Sequence, residues 1–237
     1  MSGKKALRAA TWDAIRVARA GRFPGILGRI PNFKGAEAAA ERLAGTSAWT
    51  AAGVLKINPD SPQRPVRARA LREGKVLVLP APKLAEATPF VLLDPAVLPP
   101  EKLWEASSIK GAFALGRPVG LDEVPKLDLI VTGCVAVSRD GARLGKGGGY
   151  SDLEYALLRQ VGRVGPDTVI CSTVHTVQLL EAGGVPMAAH DISLDLVVTP
   201  DEVVWTQRTW ERPAGIAWDL LPDAKVAAIP VLQELRP

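Results

Sequence analysis

Cysteine and histidine are scarce in this chain, two of each among 237 residues. No Cys/His set of zinc spacing can be assembled from them. Cys134 and Cys171 stand apart, each inside an apolar strand-like run, and read as buried small hydrophobes. Long apolar runs are also missing: hydrophobic residues make up 47% of the chain, yet no uninterrupted stretch reaches the ~18 residues of a membrane span. A soluble protein is expected, with no membrane partner. The start, Ser2-Gly3-Lys4-Lys5, runs into a basic amphipathic segment without a long hydrophobic region or a small-residue cleavage site, so a cytoplasmic location is expected. Aromatic residues are only 5% of the total. No aromatic segment of the kind that stacks single-stranded RNA is visible, and nucleic acid is not an expected partner.

What the chain does contain is a glycine-rich run, Asp140-Gly141-Ala142-Arg143-Leu144-Gly145-Lys146-Gly147-Gly148-Gly149-Tyr150-Ser151-Asp152. Glycines let backbone N–H groups approach an anion with no Cβ in the way, and they reach positive φ. Arg143 and Lys146 add charge. Residues 127–137 (LDLIVTGCVAV) read as a buried strand feeding the loop, and 152–161 (DLEYALLRQV) as a helix whose positive N-terminal end faces it. Asp152 stands where an N-cap or a Mg²⁺ ligand would stand. The spacing is neither that of the P-loop, which needs Gly-Lys-Ser/Thr, nor that of the dinucleotide motif. Bare glycines would make only a turn; with Arg, Lys and Asp among them, the run reads as an anion site.

Charge is uneven. Residues 1–75 hold 15 Lys and Arg against 5 Asp and Glu, while the remainder holds 14 against 20. Arg16, Arg19, Arg22 and Arg29 recur at roughly helical spacing and read as a solvated face, whereas Lys4 and Arg8 lie one turn apart on one face. A coarse pass gives helices at 3–20 and 35–44, a strand at 49–57, a basic helix at 64–73 and strands at 75–79 and in FVLLD. A helix and a long loop follow over 101–126, then the strand, glycine loop and helix above. The pass ends with a strand at 168–174, a short helix around 176–182 and a strand at 194–198. Strands alternating with helices argue for a parallel α/β sheet with helices on both faces. The length suits one domain over 1–237, with 206–237 as an extension packing on it.

The segment RLGKGGGYSD resembles the signature of the 5-formyltetrahydrofolate cyclo-ligase family, R-L-G-x-G-x-G-Y/F-Y-D. Other blocks are similar in order: Lys4-Lys5-Ala6-Leu7-Arg8 at the start, Gly74-Lys75 before VLVLP, then Gln178, Pro186, Asp191 and Thr199. Asn58-Pro59-Asp60, Pro82-Lys83-Leu84 and Ile229-Pro230-Val231-Leu232 look closer to the methenyltetrahydrofolate synthase domain-containing branch. The resemblance implies a three-layer α/β/α fold with a mainly parallel sheet, of the NagB/RpiA/CoA-transferase-like kind. It also implies an ATP-dependent ligase that converts 5-formyltetrahydrofolate to 5,10-methenyltetrahydrofolate with release of ADP and phosphate.

On that resemblance, ATP would be held by Lys4, Arg8, Arg143, Gly145, Lys146, Gly147, Gly148, Gly149 and Tyr150, and Mg²⁺ by Asp152. Asp60, Arg143, Lys146 and Tyr150 would serve catalysis, although an aromatic opening a helix is as often a packing anchor. Two positions depart from the family pattern. Counting back from Gly74-Lys75 puts Asp60 at the usual glutamate, one methylene shorter, and Gln63 at the usual threonine; Ser151 replaces the second aromatic of Y-Y-D. Asp60 reads either as a folate-positioning carboxylate or as the cap of a helix in a proline-bounded turn. A second function class stays open: a nucleotide-binding relative without folate turnover, acting on another substrate or through RNA or a protein, since animal members of the branch carry an appended RNA-recognition domain. The expected partners are ATP and a folate-type small molecule, and the expected state is a monomer or homodimer.

Overall fold

The computed structural model describes residues 2–207 and 209–236. In chain order the elements are α1 (Ser2–Val17), α2 (Ala36–Ala44), α3 (Ser47–Ala51), β1 (Val54–Ile57), α4 (Arg64–Arg72), β2 (Val76–Pro80), β3 (Phe90–Leu93), α5 (Leu103–Ala106), α6 (Ile109–Leu115), β4 (Arg117–Val119), β5 (Leu127–Val131), β6 (Ala136–Ser138), β7 (Arg143–Leu144), α7 (Tyr150–Gln160), β8 (Val164–Thr173), β9 (Leu179–Leu180), β10 (Leu196–Val198), β11 (Val203–Trp205), α8 (Asp223–Ala227) and α9 (Pro230–Glu234). No helix among the described residues is long and apolar enough to cross a membrane.

Eight strands among the described residues form one sheet in the order β11-β10-β8-β5-β1-β2-β3-β4. Its middle, β10 to β2, is parallel, with antiparallel neighbours at both ends. Period-two alternation sorts the side chains into two cores. Leu55, Ile57, Leu77, Leu79, Leu129, Val131, Leu196 and Val198 pack with Leu43 of α2, Trp49 of α3 and Val66 and Leu71 of α4. Val78, Ile130, Ile170 and Val197 pack with Leu153, Leu157 and Leu158 of α7. Helices therefore cover both faces, the α/β fold with a mainly parallel sheet that the alternation implied, and double burial is why these strands read as apolar runs. Of the stretch 206–237, residues 208 and 237 lie outside the described residues; Val226, Ile229, Val231 and Leu232 are buried in the α7 core.

Several boundaries differ from the sequence expectation, each for a local reason. Residues 49–51 are helical rather than extended, because the Trp49 N–H donates to Thr46 Oγ1 at 3.3 Å and so caps α3. The strand expected over 127–137 stops at Val131. Beyond it the chain passes Gly133, where an added Cβ would come 2.9 Å from both an Asp60 carboxylate oxygen and the Ile30 side chain. It resumes as β6 in a second, three-stranded sheet ordered β7-β6-β9. Helix α7 begins at Tyr150 rather than Asp152, with Gly149 before it in the left-handed region at φ 65°. The helix expected near 176–182 is a single 3-10 turn, Thr176–Gln178, closed by a His175–Gln178 capping box before β9.

Candidate functional site

A cleft of about 390 Å³ opens beyond the C-terminal ends of β1, β2 and β5, the edge at which open α/β sheets bind ligands. Its lining gathers Asp60, Arg143, Gly145, Lys146, Gly148, Gly149, Tyr150 and Asp152 from segments far apart in sequence. The other expected residues stand behind the loop. Arg8 Nε donates to the Gly145 carbonyl at 2.7 Å, and its guanidinium carbon lies 3.5 Å from where a Cβ on Gly147 would be. Lys4 is ion-paired with Asp191, which also accepts the Ala188 N–H at 2.6 Å. Lys4 and Arg8 thus fasten α1 to the site, Lys4 through the Asp191 carboxylate and Arg8 Nε through the Gly145 carbonyl.

Arg143 is buried, with 2% of its side chain exposed, and two of its nitrogens are committed. One donates to Asp152 Oδ1 at 2.6 Å and the other to the Gly133 carbonyl at 3.1 Å, while Nε has no partner among the described residues. The sequence suggested a guanidinium presented to phosphate; here it is paired with the nearest carboxylate. Asp152 Oδ1 also accepts the Ile192 N–H at 3.0 Å. Burial opposes ionisation of Asp152, but the Arg143 charge and the two hydrogen bonds outweigh it and hold the carboxyl below its ordinary range. Arg143 is likewise held charged: burial works against its charge, and Asp152 more than compensates.

Asp60 does not cap the 3-10 turn Ser61–Gln63 that follows it, for its side chain makes no capping bond there. The helix-capping role considered for Asp60 is therefore not seen. One carboxylate oxygen lies 3.5 Å from Lys146 Nζ, across the cleft from the glycine loop. The backbone around it is braced by Arg67, whose guanidinium donates to the Asn58 and Asp60 carbonyls at 2.6 and 3.1 Å and to Ser107 O at 2.8 Å. Burial pulls the Arg67 pKa down to about 9, partly countered by Asp60. Sequence reading took this arginine only as part of a basic helix, and within that helix it is a buried strut.

A second polar group beneath the cleft was also missed. Lys56 of β1 and Glu154 of α7 form a buried ion pair. Asn58 accepts from Lys56 Nζ at 3.0 Å and donates to Ser151 Oγ at 3.0 Å. Burial pushes the Glu154 carboxyl up, against the pull of Lys56. The available signal was a lysine between Leu55 and Ile57 in a run otherwise apolar. Ser151, which departs from the family aromatic, lines the cleft together with Asn58 and Glu154 of this network.

Tyr150 is half-buried, lines the cleft and packs against the α7 core, as a packing anchor would. Among the other blocks, Gln178 is buried and donates to the Cys134 and Val135 carbonyls, and Thr199 accepts the Asp201 and Glu202 N–H groups. Both cysteines are buried and free, and burial raises the Cys134 thiol to about 11 and Cys171 further still. No group of three or more His, Cys, Asp or Glu among the described residues is placed to hold a metal ion. Asp152, the residue expected to hold Mg²⁺, shares the cleft lining with Asp60 and Glu154, and its Oδ1 is taken by Arg143 and Ile192.

The model of the 5-formyltetrahydrofolate cyclo-ligase family matches residues 1–200. A methenyltetrahydrofolate synthase domain-containing protein from Bos taurus is 36% identical over 234 residues, 98% of this chain and 62% of that protein. Its Homo sapiens counterpart is 32% identical over 234 residues, 98% of this chain and 61% of that protein. The chain therefore spans about three fifths of these relatives' length. In fold it is similar to Aquifex aeolicus 5,10-methenyltetrahydrofolate synthetase, with a TM-score of 0.54 and 23% identity over 92% of this chain and 99% of that one. The family match, the order of the sequence blocks and the glycine loop at the strand ends together place this chain in the 5-formyltetrahydrofolate cyclo-ligase family.

Proposed function

We propose that the chain converts 5-formyltetrahydrofolate to 5,10-methenyltetrahydrofolate at the expense of ATP, releasing ADP and phosphate. The observation that carries the reading is the facing of Asp60 and the glycine loop across one cleft, with Lys146 3.5 Å from the carboxylate. In this reaction the formyl oxygen takes the terminal phosphoryl group, N10 then adds to the activated carbon and loses its proton, and the C–O bond breaks as phosphate departs. The protein's task is positioning and charge neutralisation.

Backbone N–H groups around Gly147, Gly148 and Gly149 and the start of α7 receive the phosphates. Lys146, half exposed and among the described residues tied only by its long contact with Asp60, is the cation that can follow the transferred group. Arg143 acts through Asp152 and the Gly133 carbonyl, fixing the floor of the cleft. Asp152 would hold a Mg²⁺ ion beside the phosphates, where the ion would supply added charge neutralisation. Asp60 orients the folate. The test is stoichiometric: purified protein given MgATP and 5-formyltetrahydrofolate should yield one ADP per methenyl product, followed by near-ultraviolet absorption. Product formed without ATP consumption, or no product at all, overturns the reading.

The shortened carboxylate at Asp60 and the serine at 151 favour one alternative, a nucleotide-binding relative with a different substrate. It predicts ATP binding with no methenyl product under the same conditions.

A further inference from the structure

Residues beyond 200 lie outside the family-model match, yet they reach the glycine loop. Lys225 of α8 donates to the Gly148 carbonyl at 2.9 Å, stands 4.6 Å from the centre of the Tyr150 ring, and lies 3.3 Å from where a Cβ on Gly149 would be. Val226, buried beside it, anchors α8 in the α7 core. The stretch leading into α8 also closes a pocket of about 130 Å³ over the first turns of α7, walled by Leu153 and Ala156 of the helix and by Ile216, Ala217, Leu221 and Pro222. Gly149 and Asp152 line both this pocket and the main cleft, so the two cavities meet at the loop.

We propose that this C-terminal segment completes the nucleotide site: Lys225 is a positioning residue for the glycine loop, and the adjoining pocket takes the purine base. The inference rests on the reading that nucleotide phosphates lie on the loop. An ammonium bound to the Gly148 carbonyl and lying over the Tyr150 ring fixes that peptide's orientation and adds positive charge beside the phosphates. The pocket is too small for a whole nucleotide and mostly apolar. A flat base laid against Leu153 and Ile216 loses water from both faces, while the phosphates stay on the polar loop.

The experiment is calorimetric titration of the full chain with two probes in Mg²⁺ buffer, ATP and inorganic tripolyphosphate. Wild type should bind ATP at least about tenfold more tightly than tripolyphosphate. Ala217→Phe, which fills the pocket, should weaken ATP by about tenfold and leave tripolyphosphate unchanged. Lys225→Met should weaken both probes, and Lys225→Arg should recover most of the loss. Equal wild-type affinities for the two probes overturn the base pocket without recourse to any variant, as does an Ala217→Phe chain that binds ATP normally. A Lys225→Met chain with unchanged affinity for both probes overturns the positioning role. Wild type that binds neither probe overturns the nucleotide reading itself along with this inference, and that result is distinct from any variant effect.

Discussion

At the scale of single residues, the Arg143–Asp152 pair changes what a substitution should do. A surface N-cap aspartate exchanged for asparagine costs little, but this carboxylate is the partner of a buried guanidinium. Asp152→Asn leaves Arg143 charged and unpaired, which typically costs about 3 kcal/mol or more; the thermal midpoint should fall together with activity. The pH dependence follows from the lowered carboxyl. Its stabilising share is complete above the unfolded value of 3.8 and is lost as pH falls through the still lower folded value. Thermal midpoints measured from pH 7 down to pH 2 should therefore fall more steeply below pH 4 for wild type than for Asp152→Asn, and parallel curves would contradict the pair's role. That Gly145 to Asp152 line one cleft was legible because they form one continuous run in the sequence, although Gly147 lies outside the lining. Lys56 with Glu154, and Arg67 with the Asn58 and Asp60 carbonyls, were not, because nothing local in the sequence says which distant group a buried charge will meet.

At the scale of elements, periodicity located the parallel strands but not their ends. The apolar run 127–137 is continuous in sequence although its two halves belong to different sheets, and only the close approach of Asp60 and Ile30 at Gly133 explains the break. Trp49 looked like strand because large aromatics suit strands, and the Thr46 cap decided otherwise. Gly149 is the element-level residue on which the site depends. It sets the start of α7 at φ 65°, and alanine there should cost about 1 kcal/mol of backbone strain. Because an added Cβ also approaches Lys225 at 3.3 Å, Gly149→Ala should weaken ATP binding beyond its modest effect on the melting temperature. Chemical denaturation alongside ATP titration checks both, and unchanged affinity would show that the loop tolerates a displaced helix start.

At the scale of the molecule, the layered α/β architecture was legible from alternating elements, whereas strand order was not. The neighbours β1 and β5 are separated by more than sixty residues of intervening chain, and their pairing emerges only when both faces of the sheet are covered. That pairing creates the cleft, since it sets Asn58 and Asp60 after β1 beside Gly133 after β5. The most direct test of the account is a comparison of Asp60→Ala with wild type in two measurements on the same preparations, methenyl product formation and ATP affinity. The account predicts ATP-dependent product from wild type, turnover lowered by orders of magnitude in Asp60→Ala, ATP affinity close to wild type, and a thermal midpoint little changed because Asp60 caps nothing. ATP binding by wild type without methenyl product, or full turnover by Asp60→Ala, would contradict it.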